Sequence, residues 1–340
     1  MNDSTLTEMA MGYFRSRTLC AAARLGVADS LGDEERTVEQ LAIACQADPA
    51  SLGRLLRALA SFGVVSETLP GSFVLTSLGM PLRKDVPHSE WASIIFWADL
   101  LADSWTCLTE CIRTGERAAV IMERDRIASR WSKEADAGAI FRAVMGTAPA
   151  ENYLPIARAW DFSRYGTVAD LGGGGGGLIA AVLHEFPNVR GMLVDRQEAV
   201  DRAVSRFEKE GLAGRCVLLA ADLCRGVPAG ADVYILQHVL HGYEDRAAIE
   251  ILHHCGSVLP SEGRLLVIEA VLPDVVDHAD SDLESRLMSD LNMLAVTGGK
   301  ERSAAAWRAL LNSAGFECRS IIPIPGEFAS IVEAVPRPRA

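Results

Sequence analysis

Six consecutive glycines, Gly172 to Gly177, follow the β-branched run TVADL (167–171) and lead into the apolar segment LIAAVLHEF (178–186). A glycine tract by itself suits a flexible linker as well as a ligand loop. Its neighbours favour the loop. TVADL reads as a buried strand, and Leu178, Ile179, Val182, Leu183 and Phe186 recur at helical spacing. A linker would separate two elements that must pack, whereas missing Cβ atoms let main chain and ligand approach closely. Strand, glycine loop and helix in that order point to an open α/β sheet with a ligand at its strand ends.

The same alternation continues downstream. GMLVD (191–195), CVLLAAD (216–222), ADVYIL (231–236) and RLLVIE (264–269) read as further strands, and the tail beyond Phe316 supplies more strand material. A Rossmann-like catalytic domain is therefore predicted over 158–340. At 340 residues the chain exceeds what one core usually serves, so further domains are expected. Residues 1–85 predict a small winged-helix-like module. Thr37 with Gln40 reads as a capping box, and Asp48-Pro49 as the start of a second helix. Leu52, Leu55, Leu56, Leu59 and Phe62 form one apolar stripe on that helix, which Gly63 ends. Extended runs at Val64-Val65 and Phe73–Leu75 flank the turn pair Pro70-Gly71. Residues 86–157 read as a helical linker rich in Trp and Met, with Phe141 and Met145 on one helix face.

A winged helix often binds DNA, but residues 1–80 carry six arginines against nine acidic residues, and the whole chain has a net charge of −12. Phosphate contacts need the opposite sign, which points away from nucleic acid and toward a dimerisation scaffold. No apolar run approaches the roughly 20 residues of a membrane helix, so no membrane partner is expected. The opening MNDSTLTEMA lacks the features of an export signal, which makes the cytoplasm the expected location. The eight cysteines are scattered, mostly within apolar stretches, as free thiols of a reducing compartment would be. Cys107 and Cys111 share a helix face, yet no other His or Cys pair is spaced to complete a tetrahedral zinc site with them.

Gly172, Gly174 and Gly177 satisfy the dinucleotide pattern, and Asp195 ends the next strand near the spacing of a ribose contact, so an NAD(P)-dependent oxidoreductase is one reading. Asp170, just before the glycines, is poorly placed beside a pyrophosphate. It suits the cationic methionine end of S-adenosylmethionine. Asp222 closes the third strand on the adenine side. Each aspartate alone reads equally well as a turn or cap residue. His241, in ILQHVLHGYED, follows the fourth strand at the crevice where open sheets bind ligands. A phenol titrates near pH 10 and an imidazole near about 6.5, so a positioned histidine can take the hydroxyl proton. His238, His253 and His254 read as structural.

These stretches together resemble the S-adenosylmethionine-dependent O-methyltransferases typified by caffeate O-methyltransferase and the bacterial polyketide and phenazine enzymes. The motifs that carry the resemblance are VADLGGGGGG, LVD (193–195), AAD (220–222), VLHGYED (239–245), RLLVIEAVLP (264–273) and DLNMLAVTGGKERS (290–303). The resemblance implies a class I methyltransferase fold behind an N-terminal dimerisation domain, a homodimer, and a small aromatic acceptor methylated on a hydroxyl without a metal. Site roles follow from it too. Gly172 and Gly174 fall on the cofactor loop, Asp195 on the ribose acid, and Asp222 on the adenine-side acid, with Asp170, Leu223 and Gln237 beside them. His241 falls on the base, Glu269 and Glu301 on its framing acids, and Phe141, Met145, Asn292 and Met293 on the acceptor pocket. Gly242 stands where the family often has Asp, and Tyr243 where it has Trp; some relatives bind the cofactor yet catalyse other steps.

Overall fold

The computed structural model describes residues 5–145, 149–277, 280 and 283–337. The chain divides into two compact units, Met1–Thr106 with Arg126–Val144 and Cys107–Asp125 with Met145–Ala340.

In the first unit, capping chemistry sets the helix starts. Thr5 and Glu8 form a reciprocal capping box that opens α1 (Leu6–Leu25). Thr37 and Gln40 do the same for α2 (Val38–Ala44), as their spacing suggested. The Asp48 carboxylate accepts the Ser51 N–H at 2.8 Å to start α3 (Pro49–Ser61), which buries Leu52, Leu56 and Leu59. β1 (Val65–Leu69) and β2 (Ser72–Leu75) then form an antiparallel hairpin, and Arg36–Thr37 pairs along the outer side of β2. Only the C-terminal end of α1 is buried, through Cys20, Ala22 and Ala23. Leu6, Met9 and Phe14 are 84%, 66% and 63% exposed.

Sequence gave no hint of how the end of α1 is fastened. Asp99, in a single π-turn (Phe96–Leu100), accepts from Arg17 at 3.1 Å, Arg24 at 3.0 Å and Arg130 at 2.6 Å. Burial alone would raise the Asp99 carboxyl, but hydrogen bonds from Arg130, Arg17 and Arg24 hold it below the usual carboxylate range. Beside it, Phe96, Trp131 and Phe141 pack edge to face or tilted, with ring centroids 5.9–6.1 Å apart.

The second unit contains the sheet. Its strands are β3 (Thr167–Leu171), β4 (Arg190–Asp195), β5 (Cys216–Ala220), β6 (Val233–Gln237), β7 (Arg264–Glu269), β8 (Phe316–Pro323) and β9 (Ser330–Pro336). They lie in the order β8-β9-β7-β6-β3-β4-β5. β3 to β7 are parallel, while β9 runs antiparallel to β7 and β8 antiparallel to β9. Strand order reverses between β3 and β6, which opens a crevice at their C-terminal ends. The helix after the glycines, α4 (Gly177–Glu185), buries every residue from Gly177 to Leu183 rather than one face. Residues 150–158 cover its outer side, so the single stripe read from sequence was too narrow. Three further helices matter for the site: α5 (Asp245–Val258), α6 (Leu283–Val296) and α7 (Ala304–Ser313). Among the described residues, no helix is long and apolar enough to cross a membrane.

Candidate active site

The crevice begins at the end of β3. Asp170 is completely buried, and neither carboxylate oxygen has a well-formed hydrogen bond among the described residues. Burial first, and the charge of Asp195 second, push its carboxyl from 3.8 up to about 7; the nearby Ile179 N–H tempers the shift. Gly173 has no room for a side chain. A Cβ on Gly173 would stand 2.4 Å from Asp170 Oδ2. Gly172 and Gly174 hold left-handed backbone, at φ 71° and 57°. The Gly174 N–H donates to Asp195 Oδ2 at 2.7 Å, and the Arg196 N–H to Oδ1 at 2.6 Å, which orients this acid at the end of β4. Loop and second-strand acid are thus one construction.

Asp222 is exposed and turned toward its own loop, accepting the Cys224 N–H at 3.0 Å with Arg225 3.5 Å away. The following Leu223 is buried and would be 3.8 Å from a Cβ on Gly172. Gln237 ends β6, half-buried.

His241 lies on a short 3-10 turn, Leu240–Gly242, just beyond β6. Its Nδ1 is 2.9 Å from Glu301 Oε1 and 3.5 Å from Glu269 Oε2. Both glutamates are buried. Burial alone would lower the imidazole, but the Glu269 charge and the Glu301 hydrogen bond outweigh it, and the net shift is upward from 6.5. Glu269 is likewise held below its usual range, against burial, by His241 and His238. Its Oε1 accepts the N–H groups of Val239 and Leu240 at 2.9 Å and His241 at 3.3 Å, fixing the main chain that carries the imidazole. Ser289 Oγ, on α6, donates to Glu301 Oε1 at 2.8 Å. A histidine tied through Nδ1 to a buried carboxylate presents Nε2 as its remaining proton acceptor.

Sequence reading missed the clamp behind this turn. Arg302 is buried, its guanidinium 5.1 Å over the Trp307 ring of α7. It donates to the Leu240 carbonyl at 3.1 Å, the Tyr243 carbonyl at 3.0 Å, and Asp245 Oδ1 at 2.9 and 3.1 Å. The Lys300 N–H donates to the His241 carbonyl at 2.9 Å. The signal was present in GGKERS, but an arginine beside a glutamate does not announce where its fork will point.

The other expected residues divide between the units. Asn292 is buried and Met293 half-buried on α6, in the unit that carries His241. Phe141 belongs to the aromatic cluster of the first unit, while Met145, exposed at the end of the same helix, falls in the second. His254, as read, is structural: its Nδ1 bonds the Leu223 carbonyl at 2.9 Å. His238, also read as structural, stands beside His241. It sits past the end of β6 with left-handed backbone, φ 51°, and its ring centroid is 5.5 Å from that of His241. At Gly242 a Cβ would meet nothing within 4 Å, so space does not exclude the aspartate common there in the family.

Comparison with known proteins agrees with this architecture. Residues 105–317 match the O-methyltransferase domain and residues 7–83 the O-methyltransferase dimerisation domain. The chain is 36% identical to an O-demethylpuromycin-O-methyltransferase of Streptomyces alboniger, over 96% of this chain and 88% of the relative. It is 34% identical to a phenazine O-methyltransferase of Lysobacter antibioticus, over 98% and 96%. Among solved structures, an O-methyltransferase of neocarzinostatin biosynthesis, in complex with S-adenosylmethionine and 2-hydroxy-5-methyl naphthoic acid, superposes with a TM-score of 0.77. That protein is 31% identical, and the match covers 95% of this chain and 96% of that one. The chain belongs to the S-adenosylmethionine-dependent O-methyltransferase family.

Proposed function

We propose that this enzyme methylates a hydroxyl of a small, flat aromatic acceptor of secondary metabolism, with His241 as general base. The observation that carries the reading is the 2.9 Å contact between His241 Nδ1 and buried Glu301 at the mouth of the strand-end crevice. Deprotonating a phenol needs such a pair, whereas an amine acceptor already offers its lone pair. The relatives' acceptors, a puromycin precursor, a phenazine and a naphthoate, supply the aromatic class. Mass spectrometry of reactions with hydroxylated phenazines, naphthoates and benzoates, beside the matching amines, tests it. Gain of one methyl on a hydroxyl is the expected result, and methylation of the amines alone would overturn it.

The residues present fit the cofactor. The buried Asp170 carboxylate, without a well-formed hydrogen bond among the described residues, suits its cationic end, the Cβ-free cradle at Gly172–Gly174 admits close approach, and Asp195 at the end of β4 suits the ribose hydroxyls. Asp222, Leu223 and Gln237 are assigned to the adenine side and rim, and Phe141, Met145, Asn292 and Met293 to the acceptor. Bound S-adenosylmethionine supplies an electrophilic methyl group. The chain's own contribution is to hold the acceptor and remove its proton: His241 Nε2 takes the hydroxyl proton, Glu301 stabilises the resulting imidazolium, and Glu269 keeps the turn in place.

Three outcomes follow. Because His241 must be neutral to act and is shifted upward, kcat should climb with pH through a value above 6.5. Glu301→Gln should move that limb downward, and an unmoved limb would detach Glu301 from the base. Asp170 is raised, so its ionisation penalises the cofactor-free fold increasingly as pH climbs from 3.8 toward about 7. Asp170→Asn should therefore raise the Tm of the cofactor-free protein at pH 8 while weakening S-adenosylmethionine binding, both readable by calorimetry. Tight binding in the variant would exclude Asp170 from the cofactor site. Finally, the exposed Leu6, Met9 and Phe14 on α1 fit a two-fold interface between dimerisation domains. Light scattering at micromolar concentration should report a homodimer, and a monomer would refute it.

A further inference from the structure

The fully buried Glu269 uses its two oxygens differently. Oε1 takes three main-chain N–H groups, while Oε2 has no hydrogen-bond partner among the described residues. That oxygen lies 3.5 Å from Nδ1 of His241 and 3.5 Å from Nδ1 of His238. Donor atoms of the three residues all lie within 4.8 Å of one another.

We propose that His238, His241 and Glu269 form a binding site for Zn²⁺ and that its occupation switches the enzyme off. Around tetrahedral zinc, with bonds of about 2.0–2.2 Å, neighbouring donor atoms stand about 3.3–3.6 Å apart. Both histidine–carboxylate separations already fall in that range. The remaining gap is between the two imidazoles, and His238, with its side chain 40% exposed at the strand end, has room to close it. Its left-handed backbone is a conformation that few residues other than glycine adopt, and it places the ring beside Glu269. Two imidazoles with carboxylate suit zinc, while Mg²⁺ prefers six oxygens.

The inhibitory effect follows from tautomer chemistry. Zinc on Nδ1 of a neutral His241 leaves the ring proton on Nε2, so the nitrogen that should accept the hydroxyl proton already carries one. Binding does not depend on the general-base reading; inhibition does. The test is calorimetric titration of the full-length, cofactor-free protein with ZnCl₂ and with MgCl₂, beside methyl-transfer assays in the same zinc series. The expected result is one zinc per chain, no magnesium uptake, inhibition reversed by EDTA, and affinity at least about tenfold weaker in His238→Gln. Should that variant fail to fold, His241→Gln carries the same expected loss. Cobalt substitution reports the ligands. A spectrum without a thiolate charge-transfer band is expected; such a band would assign the ion to cysteine and overturn the site. Unchanged zinc affinity in a folded histidine variant, or no binding at all, would overturn it too. Zinc that binds as described yet leaves turnover intact would keep the site and remove both the inhibition and the base assigned to His241.

Discussion

Replacing His241 with glutamine leaves S-adenosylhomocysteine affinity within a few-fold of normal while methyl transfer slows by about 10²–10⁴. In free-energy terms the barrier rises by about 2.7–5.5 kcal/mol. Glutamine is the informative substitution because its amide can still donate toward Glu301, whereas alanine leaves two buried carboxylates without their partner. His241→Ala should show the same rate loss together with a lower Tm. Single-turnover assays of both variants separate chemistry from binding. If His241→Gln turns over at near-normal rate, the base lies elsewhere.

Gly299→Ala should cut kcat about a hundredfold, the scale expected when a catalytic group shifts by about 1 Å. A Cβ there would lie 1.9 Å from the His241 carbonyl oxygen, 2.7 Å from Gly242 C and 2.8 Å from Tyr243 N. Main-chain atoms cannot yield as a flexible side-chain tip does, so the turn carrying His241 must move. The Lys300 N–H bond to the His241 carbonyl and the Arg302 contacts to Leu240 and Tyr243 would be strained with it. Overpacking of this kind costs about 1–3 kcal/mol, which differential scanning calorimetry would register. Gly242→Ala is the matched control: its Cβ meets nothing within 4 Å, and activity should stay near normal. Equal behaviour of the two variants would show that the clamp does not position His241.

Local chemistry made the elements legible before any fold was seen. The capping box at Thr37 and Gln40, the Asp48-Pro49 start and the glycine loop after TVADL depend on neighbours within a few residues, and each formed where it was read. Strand edges were less sharp. ADVYIL extends instead from Val233 to Gln237, because pairing with β3 and β7 sets the boundary. His241, Glu269 and Glu301 could be named through resemblance, but their meeting could not be read from a chain in which they lie 28 to 60 residues apart. Tertiary structure alone decided that Glu269 would divide its oxygens between the turn and the imidazoles. It also decided that Arg302 would brace that turn from behind, and that the His238 ring, just past the strand, would stand beside that of His241. The physical reason is the same in each case: a buried charge takes whatever partners the packed sheet and loops bring within hydrogen-bond reach, and sequence spacing does not encode that distance.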